Sequence, residues 1–134
     1  MKKLVVLIVL MSTLGWSQSP LDRLENSPRH HEWVTFSTQN QAVKSFLVYP
    51  EVSEKVAVVI VIHENRGLND WARSMADQIA EMGYIVLAPD FLSGTASNGG
   101  GTSDYENSDL ARTAIYGLDP NQIKATLEAS VAFA

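Results

Sequence analysis

The segment His63-Glu64-Asn65-Arg66-Gly67-Leu68-Asn69-Asp70 places charged and amide side chains directly after seven apolar residues at 56–62. A carboxylate and free backbone donors at such a point can floor a pocket, where they control a proton and hold a developing anion. The alternative is a solvated loop in which Asn69 or Asp70 caps the next helix. His63-Glu64 opens like the zinc-binding His-Glu-x-x-His helix, but position 67 is glycine where the second histidine is required. His30 and His31 are adjacent, so an extended chain would point them to opposite sides, and they read as surface residues. No metal site is expected. Gly99-Gly100-Gly101 follows no strand and lacks the patterns of dinucleotide and phosphate loops. It reads as a flexible connection, and no cofactor is expected. The chain contains no cysteine, and Gly-x-Ser-x-Gly occurs nowhere in it. A cysteine nucleophile, a serine elbow, thiolate zinc and disulfides are therefore all excluded within these residues.

A length of 134 residues with 46% hydrophobic and 19% charged side chains suits one folded domain. The formal charge of -5 argues against nucleic acid or an anionic membrane surface as the main partner. At the start, Lys2 and Lys3 precede an apolar run at 4–11 and small residues at Gly15 and Ser17. This is the layout of a secretory signal peptide cleaved near Ser17, and it predicts export to the periplasm or the extracellular space. A membrane anchor would need about 20 apolar residues, so no span is expected after cleavage.

The elements that must position the loop can be read from periodicity. Residues 18–31, with Pro20 and Pro28, read as an irregular lead-in. Alternation over 33–37 and again over 43–49 predicts a β-hairpin. The unbroken apolar stretch 56–62 predicts a strand buried on both faces of a parallel sheet. Trp71, Met75, Ile79 and Met82 then form a helical stripe facing the core, with Asp77, Gln78 and Glu81 away from it and Gly83 as a left-handed cap. A second strand over 84–88 completes a βαβ unit with a right-handed crossover. A short helix is predicted over 109–116. A last one is predicted from the cap Asp119, with Pro120 at its first position, a capping box through Gln122, and Ile123, Leu127 and Val131 facing inward.

The loop at 63–69, together with Gly83-Tyr84-Ile85-Val86-Leu87-Ala88-Pro89-Asp90-Phe91-Leu92-Ser93, resembles the dienelactone hydrolase (carboxymethylenebutenolidase) family. The resemblance covers roughly residues 32–134 and is sharpest over 56–94. It implies an α/β fold of which this chain holds the N-terminal half: a β-hairpin, then βαβ and helices, in a mostly parallel, incomplete sheet. It implies that Glu64 is the active-site glutamate that controls the nucleophile, and that the backbone N–H of Asn65 forms half of the oxyanion hole. Arg66 and Phe91 are the candidate substrate-binding residues. The family's carboxylate-binding arginine has no counterpart near Gly94, which argues against dienelactone itself as substrate.

The family's nucleophilic cysteine, aspartate and histidine match no position here, so they are expected beyond residue 134. The implied function is an exported ester or lactone hydrolase acting by acyl transfer on a small molecule and inactive as this chain alone. With the neighbouring strand absent, the strand at 56–62 is expected to leave an open edge through which the chain could self-associate. The alternative function is a non-catalytic exported binding or interaction module that uses that edge.

Overall fold

The structure, a computed structural model, describes residues 18–134; the expected signal segment at 1–17 lies outside them. Its elements are α1 (Pro20–Glu25), β1 (His30–Ser37), β2 (Ala42–Tyr49), β3 (Val58–Ile60), α2 (Asp70–Glu81), β4 (Ile85–Pro89), a 3-10 turn (Thr102–Asp104), α3 (Ser108–Tyr116) and α4 (Pro120–Phe133). The four strands lie in the order β1-β2-β4-β3. β3 and β4 are parallel, as the βαβ unit requires, with Val59 opposite Val86. The β1–β2 hairpin is antiparallel, and β2 also runs antiparallel to β4. The α/β fold class stands, but a mostly parallel sheet is corrected to a mixed one, because the hairpin adds to the outer side of β4.

The two sheet faces are covered differently. On one, Phe46, Val48, Val86 and Ala88 pack against Leu68 and against Ala72, Ala76 and Ala80 of α2, with Leu24 of α1. On the other, Phe36, Val43, Leu47 and Leu87 form a smaller cluster, joined by Ala129 of α4. β3 is shorter and less buried than a strand covered on both sides. Its three residues are all half-buried, and Ile62 just beyond it is 61% exposed. Among the described strands β3 pairs only with β4, so its other edge has no neighbour.

In both long helices the most deeply buried residues are smaller than the large apolar ones read from periodicity, although Ile79 of the expected stripe does pack against the core. In α2 the buried face is Ala72, Ala76, Ala80, Ser74 and Asp77, whereas Trp71 and Met82 are exposed. Alanines let a helix axis approach a sheet closely, and the larger residues one position away are then turned outward. Gly83 does adopt the expected left-handed conformation (φ +95°). Its N–H donates to Ala80 O at 2.9 Å. In α4 Asp119 caps the helix through Asn121 N–H at 2.9 Å. Buried Thr126 and Ser130 face inward and Phe133 stacks on Phe36 at 5.1 Å, while Val131 is exposed. No capping box through Gln122 forms. α3 keeps nearly its expected limits, starting at the cap Asn107 and stopping at Gly117.

The lead-in is not irregular. Ser19 and Asp22 form a reciprocal capping box that starts α1, with Pro20 in its first turn. The segment after it is fastened to α2 by the fully buried Asp77. Its carboxylate accepts from Ser27 Oγ at 2.5 Å, Arg29 Nε at 2.9 Å, Arg29 Nη2 at 2.6 Å and His31 Nε2 at 2.8 Å. His31 is thus a partner of Asp77 and not a free surface residue; His30 remains exposed and pairs with Glu32. Burial pushes the Asp77 carboxyl up, but the hydrogen bonds from Arg29, Ser27 and His31 more than offset this and hold it at about 2.

Arg29→Ala would strand a buried carboxylate and is expected to cost about 3–5 kcal/mol in urea unfolding. His31→Ala, which removes one of several donors, is expected to cost about 1–2 kcal/mol. Because the folded Asp77 pKa lies below its ordinary 3.8, the stability it contributes is present above that pH and lost as pH falls toward about 2. An Asp77→Asn variant should lose this part of the acid dependence.

Candidate active site

After β3 the chain still holds the sheet through Val61 N–H to Leu87 O at 2.9 Å, then turns sharply. Gly67 N–H closes the turn on Glu64 O at 3.2 Å, and Asn69 caps α2 through Ala72 N–H at 3.0 Å. Gly67 has φ +76°, and a Cβ there would collide with the side chain of Thr102. Both constraints select glycine. The turn buries His63, Gly67 and Leu68 and leaves Glu64, Asn65 and Arg66 exposed at the C-terminal end of β3, the edge at which open α/β sheets bind ligands.

His63 holds this turn against the end of β4. Its Nδ1–H donates to Glu64 O at 2.9 Å, and its Nε2 accepts from Phe91 N–H at 3.1 Å. An amide N–H can only donate, so this pattern assigns the neutral Nδ1–H tautomer. Burial lowers the His63 pKa, against smaller opposing effects from the Glu64 carbonyl and Asp90. The Phe91 ring stands edge-on to the imidazole at 5.3 Å. In the sequence His63 stands out only as the first residue of a zinc-like His-Glu pair; its bridging role depends on Phe91, 28 residues away, and has no local signal.

Asp90 ties in a third segment. Its Oδ1 accepts from Leu92 N–H at 3.0 Å and Thr102 Oγ1 at 2.7 Å, and its Oδ2 accepts from Thr102 N–H at 2.7 Å. Thr102 Oγ1 also accepts from Leu68 N–H at 2.9 Å, which closes the circuit to the first loop. Gly101 packs so closely on Asp90 that a Cβ there would meet Oδ2. The glycine run is therefore fastened at its last member, and the expected flexible connection is corrected to an anchored one. Its sequence hid this because the anchor, Asp90, lies twelve residues from Thr102.

The candidate residues do not all meet in one place. Glu64 and Asn65 stand side by side at the rim. The Asn65 N–H donates to no protein acceptor among the described residues, and its side-chain amide reaches Tyr116 Oη at 3.2 Å. Arg66 turns toward a cavity of about 670 Å³ that Asp90 and Thr102 also line; Glu64 and Asn65 do not line it. Phe91 is 5% exposed and packs on His63, so the structure places it as a support beneath the loop. Among the described residues no three His, Asp or Glu side chains cluster as metal ligands.

Gly67→Ala is expected to destabilise the fold by about 1–3 kcal/mol, through left-handed strain and the clash with Thr102, as read from thermal or urea unfolding. Folded His63 resists protonation, so below about pH 6.5 the unfolded chain gains a proton that the folded chain refuses, and stability falls. Urea midpoints at pH 7 and pH 5, compared with those of His63→Gln, should show that this loss depends on the imidazole.

The chain matches the dienelactone hydrolase family profile over residues 43–134. It is 38% identical over 92 residues to a protein described as a candidate hydrolase fragment, YghX, of Escherichia coli, and covers 74% of it. It is 29% identical over 101 residues to a candidate carboxymethylenebutenolidase of Synechocystis, of which it spans 41%. Among solved structures, a candidate dienelactone hydrolase of Klebsiella pneumoniae superposes on 78% of this chain with TM-score 0.62 at 17% identity. A dienelactone hydrolase-like promiscuous phosphotriesterase from metagenomic libraries does so over 78% with TM-score 0.57 at 21% identity. The chain spans 43% and 41% of those two structures, and their likeness bears on the fold. With the profile covering more than half of its residues, this chain belongs to the dienelactone hydrolase family.

Proposed function

We propose that the chain carries the glutamate and oxyanion loop of an exported ester or lactone hydrolase working by acyl transfer, and that the nucleophile lies outside residues 1–134. The observation that carries this reading is the anchored turn at 63–67. It presents the Glu64 carboxylate beside an Asn65 N–H that no acceptor among the described residues uses, at the C-terminal end of β3. A backbone donor held rigid before the reaction stabilises a tetrahedral oxyanion without reorganising, which is where such donors gain their effect. In this reading Glu64 controls the proton of the nucleophile. The substrate is a small ester or lactone, in keeping with family membership.

Two features support a nucleophile elsewhere: residues 1–134 hold no cysteine, and the chain spans 41% of its Synechocystis relative. The basic-then-apolar start supports export. Among the described residues no helix is long and apolar enough to cross a membrane.

Sequencing the DNA past codon 134 is expected to reveal Gly-x-Cys-x-Gly within about 10–20 residues, one short loop plus one strand. The purified 134-residue chain should show no turnover of a simple aryl ester above a Glu64→Ala control. Turnover by the chain, or a stop codon with a soluble, monodisperse product, would overturn the reading. N-terminal sequencing of the secreted protein should start close to Gln18.

A second reading, an exported non-catalytic interaction module, is favoured by the unpaired outer edge of β3. It predicts a stable, defined oligomer in size-exclusion chromatography, where an isolated half-domain would aggregate.

A further inference from the structure

The glycine run after β4 has no part in the acyl-transfer reading, and its first member follows Asn98. In Asn98-Gly99 the amide carbon of an asparagine lies next to a backbone nitrogen that no side chain shields. Asn98 is exposed, so water reaches it.

The local structure is a clamp. Asn98 Oδ1 accepts from Gly100 N–H at 2.8 Å, and Asn98 Nδ2 donates to Asp104 Oδ1 at 2.9 Å. The other carboxylate oxygen, Asp104 Oδ2, accepts from Gly101 N–H at 2.9 Å. Gly99 N–H closes a turn on Ala96 O at 2.8 Å. A Cβ on Gly100 would collide with both Asp104 and Asn98. The hydrogen bond from Asn98 and, after it, that from Gly101 N–H hold the Asp104 carboxyl below the usual carboxylate range. The clamp bears on the wall of the cavity, because Gly101 packs against Asp90 and Thr102 continues to Leu68.

Converting the Asn98 amide to a carboxylate would reverse its role. The donor that Asp104 uses is lost, and a second negative charge stands at hydrogen-bond distance from the first. Like charges that close repel. Asp104, which is exposed, then turns to water and lets go of Gly101 N–H.

We propose that Asn98-Gly99 is a site of spontaneous deamidation, that the Asp104 clamp holds its rate down, and that the product opens the clamp. Gly99 N gives up its proton and attacks Asn98 Cγ. The new N–C bond forms as Cγ–Nδ2 breaks, and the amide nitrogen leaves as ammonia with the proton that Gly99 lost. Water then opens the cyclic imide at either carbonyl, which gives aspartate or isoaspartate at position 98. The attack needs Gly99 N and the Asn98 side chain free of their present partners, so the clamp must open first. The modification adds one negative charge to a chain of formal charge -5 and loosens 98–104 beside the candidate site. It needs neither Glu64 nor a nucleophile, so it stands or falls apart from the acyl-transfer reading.

The full 134-residue chain, aged at mildly alkaline pH and mapped by peptide mass spectrometry, should convert at Asn98 faster than at Asn26 or Asn107, which precede serine. Asp104→Ala should speed the conversion about fivefold, the effect of losing one hydrogen bond that holds the amide. Asn98→Asp, which reproduces one product, should raise hydrogen exchange at Gly101 N–H about fivefold and leave exchange in β4 unchanged. An Asn98 that stays intact in the folded chain while the urea-unfolded chain converts would overturn the proposal. So would an Asp104→Ala chain that converts at the wild-type rate, or unchanged Gly101 exchange in Asn98→Asp.

Discussion

The carboxylate of Asp90 sits where three segments of chain converge, and it is 4% exposed. A buried carboxylate is costly unless donors surround it, and here the donors come from the segment that follows it and from Thr102. Thr102 passes the restraint on to Leu68, and so to the start of α2. His63 adds a second bridge, from the Glu64 carbonyl to the Phe91 amide. The C-terminal end of the sheet is therefore a closed polar circuit, every member of which already has a partner. Such circuits are rigid because breaking one contact exposes an unsatisfied buried group. Glu64 and Asn65, exposed on top of it, inherit a fixed position without being buried themselves.

A second buried carboxylate does the same work near the middle of α2. Asp77 gathers Ser27, Arg29 and His31, so that the segment between α1 and β1 is fastened to the helix. α2 is thus held at its N-terminus through Leu68 and along its inner face by alanines against the sheet, and near its middle by an ion pair. The close alanine packing is what turns Trp71 outward into the groove, where it and Trp33 become accessible surface.

Much of the scaffold could be read directly. The hairpin, the βαβ unit, the cap at Gly83 and the stop at Gly117 all follow from local features: alternation, apolar runs and glycine at positive φ or after a helix. The family likeness was legible for the same reason, since its motif is one continuous stretch. Periodicity of large apolar residues points only partly to the inward faces of α2 and α4, because the deepest positions are held by Ala72, Ala76, Ala80, Thr126 and Ser130, with Ile79 packed beside them. The two buried carboxylates carry no local signal. A pattern of hydrophobic periodicity counts Asp77 and Asp90 as solvent-facing, and their partners lie many residues away.

The amino-acid sequence by itself determined which elements form, in what order, and where the polar loop leaves the sheet, because those depend on neighbours within a few residues. Tertiary structure alone decided which side chains act as supports: His63, Asp77, Asp90 and Thr102 are polar groups whose burial is tolerable only once distant donors and acceptors are brought into register. It also decided that Arg66 faces a groove with Lys44 and two tryptophans, whereas Glu64 and Asn65 stand at the rim. Adjacent residues in a tight turn point in different directions, and only packing against Thr102 and Phe91 sets which direction each one takes.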